Sequence, residues 1–293
     1  MKIGMPKALY YYYFFDKWQY FFEQLNIELV TTDTDKNIIE RGNNYANSEM
    51  CLSLKIFLGH VDYLKDKCDY ILIPKIENFG LNDQMCTNFS CLYDLVNNLF
   101  DVKLLTYEIN HLKKRTEKKG LIKIGEQLGY DKKILKQAYK VACIKQNKKR
   151  KELIIDNLNK LESTNKKVLI VAHAYNIHDD YIGKIITKNL EKYNIEYIYS
   201  DLFNKVDDLS FYLAPNLYWK YSKESIGAIS YCKENIDGII FISTFPCGVD
   251  SLVNELVMRK IDLPYLNLII DDLDAEAGIE TRIESFVDII EQD

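Results

Sequence analysis

Three cysteines, each in its own short motif, are the residues of this chain best suited to chemistry. They are Cys51 in Ser48-Glu49-Met50-Cys51-Leu52, Cys86 in Met85-Cys86-Thr87-Asn88-Phe89, and Cys247 in Phe245-Pro246-Cys247-Gly248-Val249-Asp250-Ser251. Each is expected where a loop meets the start of a helix. Backbone N–H groups point outward there and stabilise a thiolate or a sulfide-rich anion. Three soft ligands from three distant segments predict a folded cage for a metal or an iron–sulfur cluster, with one coordination position open. An open position implies chemistry on something bound there, not scaffolding alone.

Other side chains near these motifs have two readings each. Glu49, two residues before Cys51, is either a proton donor or a helix cap. His60, nine residues past Cys51, would complete a zinc site with the three cysteines, although no CxxC pair supports zinc. Cys91 either reaches the open metal position or a second cluster, or is a thiol on the following helix. Cys68, Cys143 and Cys232 read as packing residues. His173 and His178, just past a strand, fit acid–base work or capping and packing. The tyrosine run Tyr10–Tyr13 reads as a helix start packed on the first strand. Lys113-Lys114-Arg115 and Lys148-Lys149-Arg150-Lys151 read as solvated helical faces, or as contacts to phosphates or a partner.

The elements that must position these residues alternate. Short β-branched and aromatic runs are expected as strands at Lys2–Met5, Ile27–Thr31, Tyr70–Pro74 and Val102–Tyr107. A second set is expected at Val168–Ala172, Ile195–Ser200, Gly238–Ser243 and Tyr265–Ile270. Helical patterns lie between them at Tyr11–Leu25, Leu52–Leu64 and Leu92–Phe100, then at Tyr181–Tyr193, Glu224–Asn235, Ser251–Arg259 and Ile279–Ile290. This rhythm predicts an α/β protein of two Rossmann-like lobes with parallel sheets. The lobes are expected at residues 1–110 and 166–293. A lysine-rich helical connector, residues 111–165, joins them and breaks near Gly129. Cys86 and Cys247 then lie beyond the carboxyl ends of parallel strands, the edge where open α/β sheets bind ligands. If those edges face each other, all three thiols converge in one cleft.

Composition narrows the class. Hydrophobic residues make up 47% and charged residues 28% of 293 positions, the balance of a soluble globular protein. No apolar run is long enough to cross a bilayer and the chain opens directly as a strand, so a cytoplasmic protein without a signal peptide is expected. Seven cysteines there argue against a disulfide framework. A net charge of −5 argues against nucleic acid as a partner. There is no GxxxxGK[ST] loop and no dinucleotide glycine turn, so the chain itself is expected neither to hydrolyse ATP nor to bind NAD.

At these motifs the sequence resembles the 2-hydroxyacyl-CoA dehydratase family of iron–sulfur proteins, in its activase-related branch. The likeness runs through Ile3-Gly4-Met5-Pro6-Lys7-Ala8-Leu9, Glu49-Met50-Cys51-Leu52 with Lys55, Phe57, Gly59 and His60, and Tyr70-Ile71-Leu72-Ile73-Pro74-Lys75. It continues in Cys247-Gly248-Val249-Asp250-Ser251 with Asn254-Glu255, then Pro264-Tyr265-Leu266, Asp271-Asp272, Glu276-Ala277-Gly278 and Thr281-Arg282. The resemblance implies a low-potential [4Fe–4S] cluster on Cys51, Cys86 and Cys247. It implies single electrons arriving from an ATP-dependent activator, and reduction of an acyl-CoA bound at the open iron, with Glu49 as a candidate acid. An oligomer, of one chain or two, goes with it. The alternatives are a cluster-carrying accessory protein without a substrate of its own, and a small-molecule reductase with a double-cubane [8Fe–9S] cluster. Where the family has proline after the second cysteine and glycine five residues on, this chain has Thr87 and Cys91. Two family arginines are Lys7 and Lys75, which keep the charge but lose the bidentate fork suited to phosphate.

Overall fold

The computed structural model describes residues 1–272 and 276–292; the side chains of Glu276 and Ala277, part of the resemblance above, lie outside the described residues. The chain divides into two compact units, Met1–Arg150 and Lys151–Asp293.

The first unit begins β1 (Lys2–Gly4), α1 (Tyr11–Glu23), β2 (Glu28–Val30), α2 (Lys36–Asn43) and α3 (Leu52–Leu64). It continues β3 (Tyr70–Leu72), β4 (Lys75–Gly80), β5 (Asp83–Gln84), α4 (Thr87–Leu99), β6 (Leu104–Leu105) and β7 (Glu108–Asn110), then α5 (Glu117–Gln127) and α6 (Lys132–Leu161). Apolar residues at helical spacing decide which face of α1 turns inward. Phe14, Trp18, Phe21 and Phe22 are buried there, and Trp18 Nε1 donates to Tyr107 Oη at 3.0 Å. Its main sheet is wholly parallel, in the order β2-β1-β3-β6. Helix α3 is buried along almost its whole length and crosses α2 where Gly42 meets Gly59. Gly129, with φ +90°, separates α5 from α6, and the division between the units falls within α6.

The second unit continues β8 (Lys167–Val171), α7 (Ala174–Ile177), α8 (Gly183–Lys192), β9 (Glu196–Tyr199) and α9 (Lys220–Cys232). It ends β10 (Gly238–Thr244), α10 (Gly248–Met258), β11 (Tyr265–Ile270) and α11 (Glu276–Gln292). All residues of β8 and β10 are buried, as expected for central strands covered on both faces. This sheet is also parallel, in the order β9-β8-β10-β11. The two sheets therefore share one topology: the second strand lies on one side of the first, the third and fourth on the other. In each, the chain reverses direction across the sheet between the first strand and the third, at β1/β3 and at β8/β10. Such switch points open a crevice at the strands' carboxyl ends.

The parallel α/β architecture agrees with the sequence expectation, with local corrections. Val102–Tyr107 is not one strand; the chain pairs with β3 at Leu104–Leu105, and β7 follows in a separate three-stranded sheet, β5-β4-β7. Cys86 does not directly follow the strand at Tyr70. The β4–β5 hairpin intervenes, because Ile76 and Asn78 alternate inward along β4. Helices α4 and α10 start at Thr87 and Gly248, several residues before the expected Leu92 and Ser251. No helix among the described residues is long and apolar enough to cross a membrane.

Candidate functional site

The three cysteines occupy three helix N-caps. Cys51 caps α3 with φ −64° and ψ 151°, Cys86 caps α4, and Cys247 caps α10. An N-cap normally holds Ser, Thr, Asp or Asn, whose oxygen satisfies a free amide; replacing such a cap by a non-capping residue costs about 0.5–2 kcal/mol. Sulfur is a weaker acceptor. The Cys51 and Cys86 side chains make no cap hydrogen bond, and Cys247 Sγ accepts from Asp250 N at 3.5 Å. Three helix starts thus carry residues poorly suited to capping, at the position whose amides best stabilise a thiolate.

In the first unit two of these thiols belong to one neighbourhood. Asn88, in the first turn of α4, donates from Nδ2 to Cys51 Sγ at 3.8 Å. The Cys51 sulfur therefore lies against the helix start that Cys86 caps. Both thiols are half-buried, while Cys91, one turn further along α4, is exposed. Cys247 belongs to the second unit. No three His, Cys, Asp or Glu side chains among the described residues are grouped closely enough to hold a metal ion. The donor chemistry at Cys51 and Cys86 fits a soft, thiolate-held group, to which the first unit supplies two thiols at neighbouring helix starts linked through Asn88.

The neighbours fall differently from some expectations. Glu49 is exposed, in a turn where its own amide donates to Asn47 Oδ1 at 3.0 Å. The N-cap of α3 is Cys51, so Glu49 is not that helix's cap. His60 is wholly buried, with Nε2 3.1 Å from Thr34 Oγ1. Nine residues along a helix separate it from Cys51 by roughly 13 Å, so the two do not share a zinc ion. Burial first, and then the positive charge of Lys7, hold its imidazole down at about 3, partly offset by Asp33. Lys7 pairs with Asp33 at 2.6 Å and Lys75 with Asp94 at 2.6 Å. Tyr10 is buried edge-on against Trp18 and Phe57 and donates to Leu72 O at 3.4 Å. Cys232 is fully buried, which pushes its thiol up to about 12. The lysine runs make surface ion pairs, Lys113 with Glu77 and Lys149 with Asp16.

The second unit holds a pairing that sequence reasoning missed. His173 Nε2 lies 2.8 Å from Asp250 Oδ1, the imidazole stacked on Tyr175. His178 Nε2 similarly meets Asp201 Oδ2 at 2.9 Å. Burial opposes charge on both imidazoles, but the facing carboxylates prevail and raise both. His173 occupies the N-cap position of α7 without a side-chain cap bond, so its expected capping role gives way to the carboxylate. The available signal was Asp250, which sits inside the third cysteine motif.

One family model matches residues 2–203, described as the CoA enzyme activase uncharacterised domain (DUF2229). The match spans the first unit, with Cys51 and Cys86, and runs into the second through β9, ending before Cys247. No curated protein matches the chain.

Proposed function

Because the chain belongs to the family of the CoA enzyme activase uncharacterised domain, we propose that it is an iron–sulfur protein serving a CoA-dependent enzyme, with Cys51, Cys86 and Cys247 as its thiol ligands. The observation that carries this reading is the placement of all three cysteines at helix N-caps, with Asn88 joining Cys51 to the helix start at Cys86. A bound [4Fe–4S] cluster would supply single-electron chemistry at low potential. The chain's own contribution is local. Amides at three helix starts stabilise thiolate charge, and the Asn88 amide donates to the Cys51 sulfur, a contact of the kind that tunes such groups. Electrons would come from an ATP-dependent activator.

Within this reading the chain acts as an electron carrier for its CoA-dependent partner. Lys7 and Lys75, which stand where the resembling family has arginine, are each engaged by a carboxylate, which favours that role over direct grip on an acyl-CoA phosphate. Reduction of an acyl-CoA by the chain itself, with Glu49 as acid, is the second reading. Affinity of the reduced, iron-loaded protein for an acyl-CoA separates the two.

The test is iron, acid-labile sulfide and zinc per chain after anaerobic purification and reconstitution. About four irons with matching sulfide are expected for a [4Fe–4S] cluster. Cys51→Ser, Cys86→Ser and Cys247→Ser should each lose most of that iron, while Cys232→Ser, at a buried packing thiol, keeps it. Full occupancy in any of the three variants removes that residue from the ligand set. About eight irons would replace the single cluster by a double cubane, and zinc or no metal would end the iron–sulfur reading.

A further inference from the structure

The β4–β5 hairpin and the loop after β7 form an arm of the first unit to which the cysteine chemistry gives no role. Leu81, at the hairpin tip, is 73% exposed, and Leu112, in the loop, 56%. Single exposed leucines are ordinary, whereas apolar side chains exposed together mark a binding surface. The two segments are fastened to each other. His111 Nδ1 donates to Phe79 O at 3.0 Å, with the two rings edge-on, and Leu112 N donates to Asn78 Oδ1 at 3.4 Å. Asn110 and Arg115 close the loop by exchanging both backbone hydrogen bonds at 2.9 Å, and Lys114 turns it at φ +54°. Gln84 Nε2 holds the tip through the carbonyls of Gly80 and Leu81. The arm is thus shaped in advance, which lowers the ordering cost of binding.

The charge around these leucines is mostly of one sign. Lys113, Lys114, Arg115, Lys118 and Lys119 are all exposed. Carboxylates answer only some of them: Glu77 pairs with Lys113 and Glu108 with Arg115, while Glu117 is buried and paired with Lys17. Even with Asp83 of β5 counted, cations outnumber carboxylates here. Lys119 Nζ donates to Lys114 O at 2.9 Å, and neither lysine has an ion pair among the described residues. Lys118 and Lys119 stand in the first turn of α5, whose dipole adds to their positive field instead of offsetting it. On a chain of net charge −5 this is a local excess of the opposite sign. An apolar centre inside a charged rim is the anatomy of a protein interface, and this rim selects an acidic partner.

The root of the arm is the cysteine site. Met85 N, one residue before Cys86, donates to Glu77 O at 3.0 Å, and from there to Gly80 the strand runs roughly 10 Å. We propose that Leu81 and Leu112, with Lys113, Lys114, Arg115 and Lys119 around them, dock an acidic electron-carrier protein that exchanges single electrons with the group held at Cys51 and Cys86. The exchange rests on the iron–sulfur reading; the docking surface does not. One electron leaves one protein and enters the other, and no bond in the chain forms or breaks.

The probe is oxidised flavodoxin, a small acidic protein whose flavin takes one electron and a solvent proton to become a coloured semiquinone. Its binding to the full-length, metal-free chain is followed by calorimetry at low salt. Lys114→Glu/Lys119→Glu should weaken that binding about tenfold or more, and Leu81→Ser/Leu112→Ser about tenfold. Raising the salt should weaken binding of the parent and leave the charge-reversed variant little changed. Lys148→Glu/Lys151→Glu, the same charge change on α6, should bind as the parent does. All six positions are exposed, so each variant should melt with the parent. In the cluster-loaded chain, reduced and freed of reductant, semiquinone should appear with the same ranking of rates, whereas a small neutral quinone should oxidise every variant equally. Equal binding in all variants, or equal losses in the α5 and α6 lysine pairs, would overturn the docking surface. Binding ranked as expected in a chain that loads no iron would keep the surface and remove its electron role, so the two readings fail separately.

Discussion

Gly59→Ala should destabilise the first unit by about 3 kcal/mol, the upper end of the usual cost of overpacking, although alanine is the better helix former by about 1 kcal/mol. At Gly59 a Cβ would stand 1.9 Å from the carbonyl oxygen of Ile38, and at Gly42 it would stand 1.9 Å from that of Lys55. Both obstacles are backbone atoms, so no side chain can swing aside and the two helices must part. α3 has little room to move because nearly all of its residues are buried. It also carries Cys51 at its start, so the thiol would shift with it. Gly278 provides the matched control: it lies in α11 with nothing within 4 Å of a Cβ, and Gly278→Ala should be neutral or stabilising by up to about 1 kcal/mol. Each unit contains one tryptophan, Trp18 or Trp219, so denaturant unfolding of single-tryptophan variants assigns each effect to its unit. Equal midpoints for Gly59→Ala and its parent would mean that the helices do not meet through these glycines.

Lowering the pH from 6.5 towards 3 should cost the first unit about 5 kcal/mol through His60 alone, as each pKa unit is worth about 1.4 kcal/mol. The sign follows from which state takes up the proton. His60 is held at about 3 in the folded chain, against an ordinary value of 6.5, so between those values only the unfolded state protonates. Stability is complete above pH 6.5, falls as pH falls, and levels off below about 3. Asp62, held low mainly by Lys65, Tyr45 and Arg41 against the opposing effect of burial, adds a loss only below its own ordinary 3.8. The measurement is the unfolding free energy reported by Trp18 at several pH values between 4 and 7. In His60→Gln the slope over that range should flatten, whatever the variant's absolute stability. A parallel slope in the variant would assign the acid sensitivity to other groups, as would an NMR titration placing His60 near 6.5.

These two effects rest on features of unequal legibility. Gly59 and His60 stand out in the sequence as part of a motif, Glu49 through His60, read there for its resemblance and its cysteine, with His60 also weighed as a zinc ligand. That one glycine receives a helix crossing, and that the histidine is sealed inside, depends on α2, which was not anticipated. The helix starts were more legible. Cys51, Cys86 and Cys247 were each expected at a loop-to-helix junction, and each is an N-cap. The hairpin before Cys86 escaped notice because β4 and β5 are short and only two side chains of β4 turn inward, too few for a strand period to register.

What the sequence by itself determined is local: strands with β-branched runs, helices with apolar residues on one face, and the junctions where cysteines cap them. Such features follow from a backbone period of two or 3.6 residues and from amides left free at a helix start, all set by residues a few positions apart. Only the tertiary structure decided that both sheets share one strand order, that Asn88 reaches Cys51, and that His173 meets Asp250 across the β8/β10 switch point. Those contacts join segments far apart in the chain. Their partners are chosen by how strands order in a sheet and how helices cross; burial then keeps His60 neutral, and the carboxylate of Asp250 raises His173 against its burial.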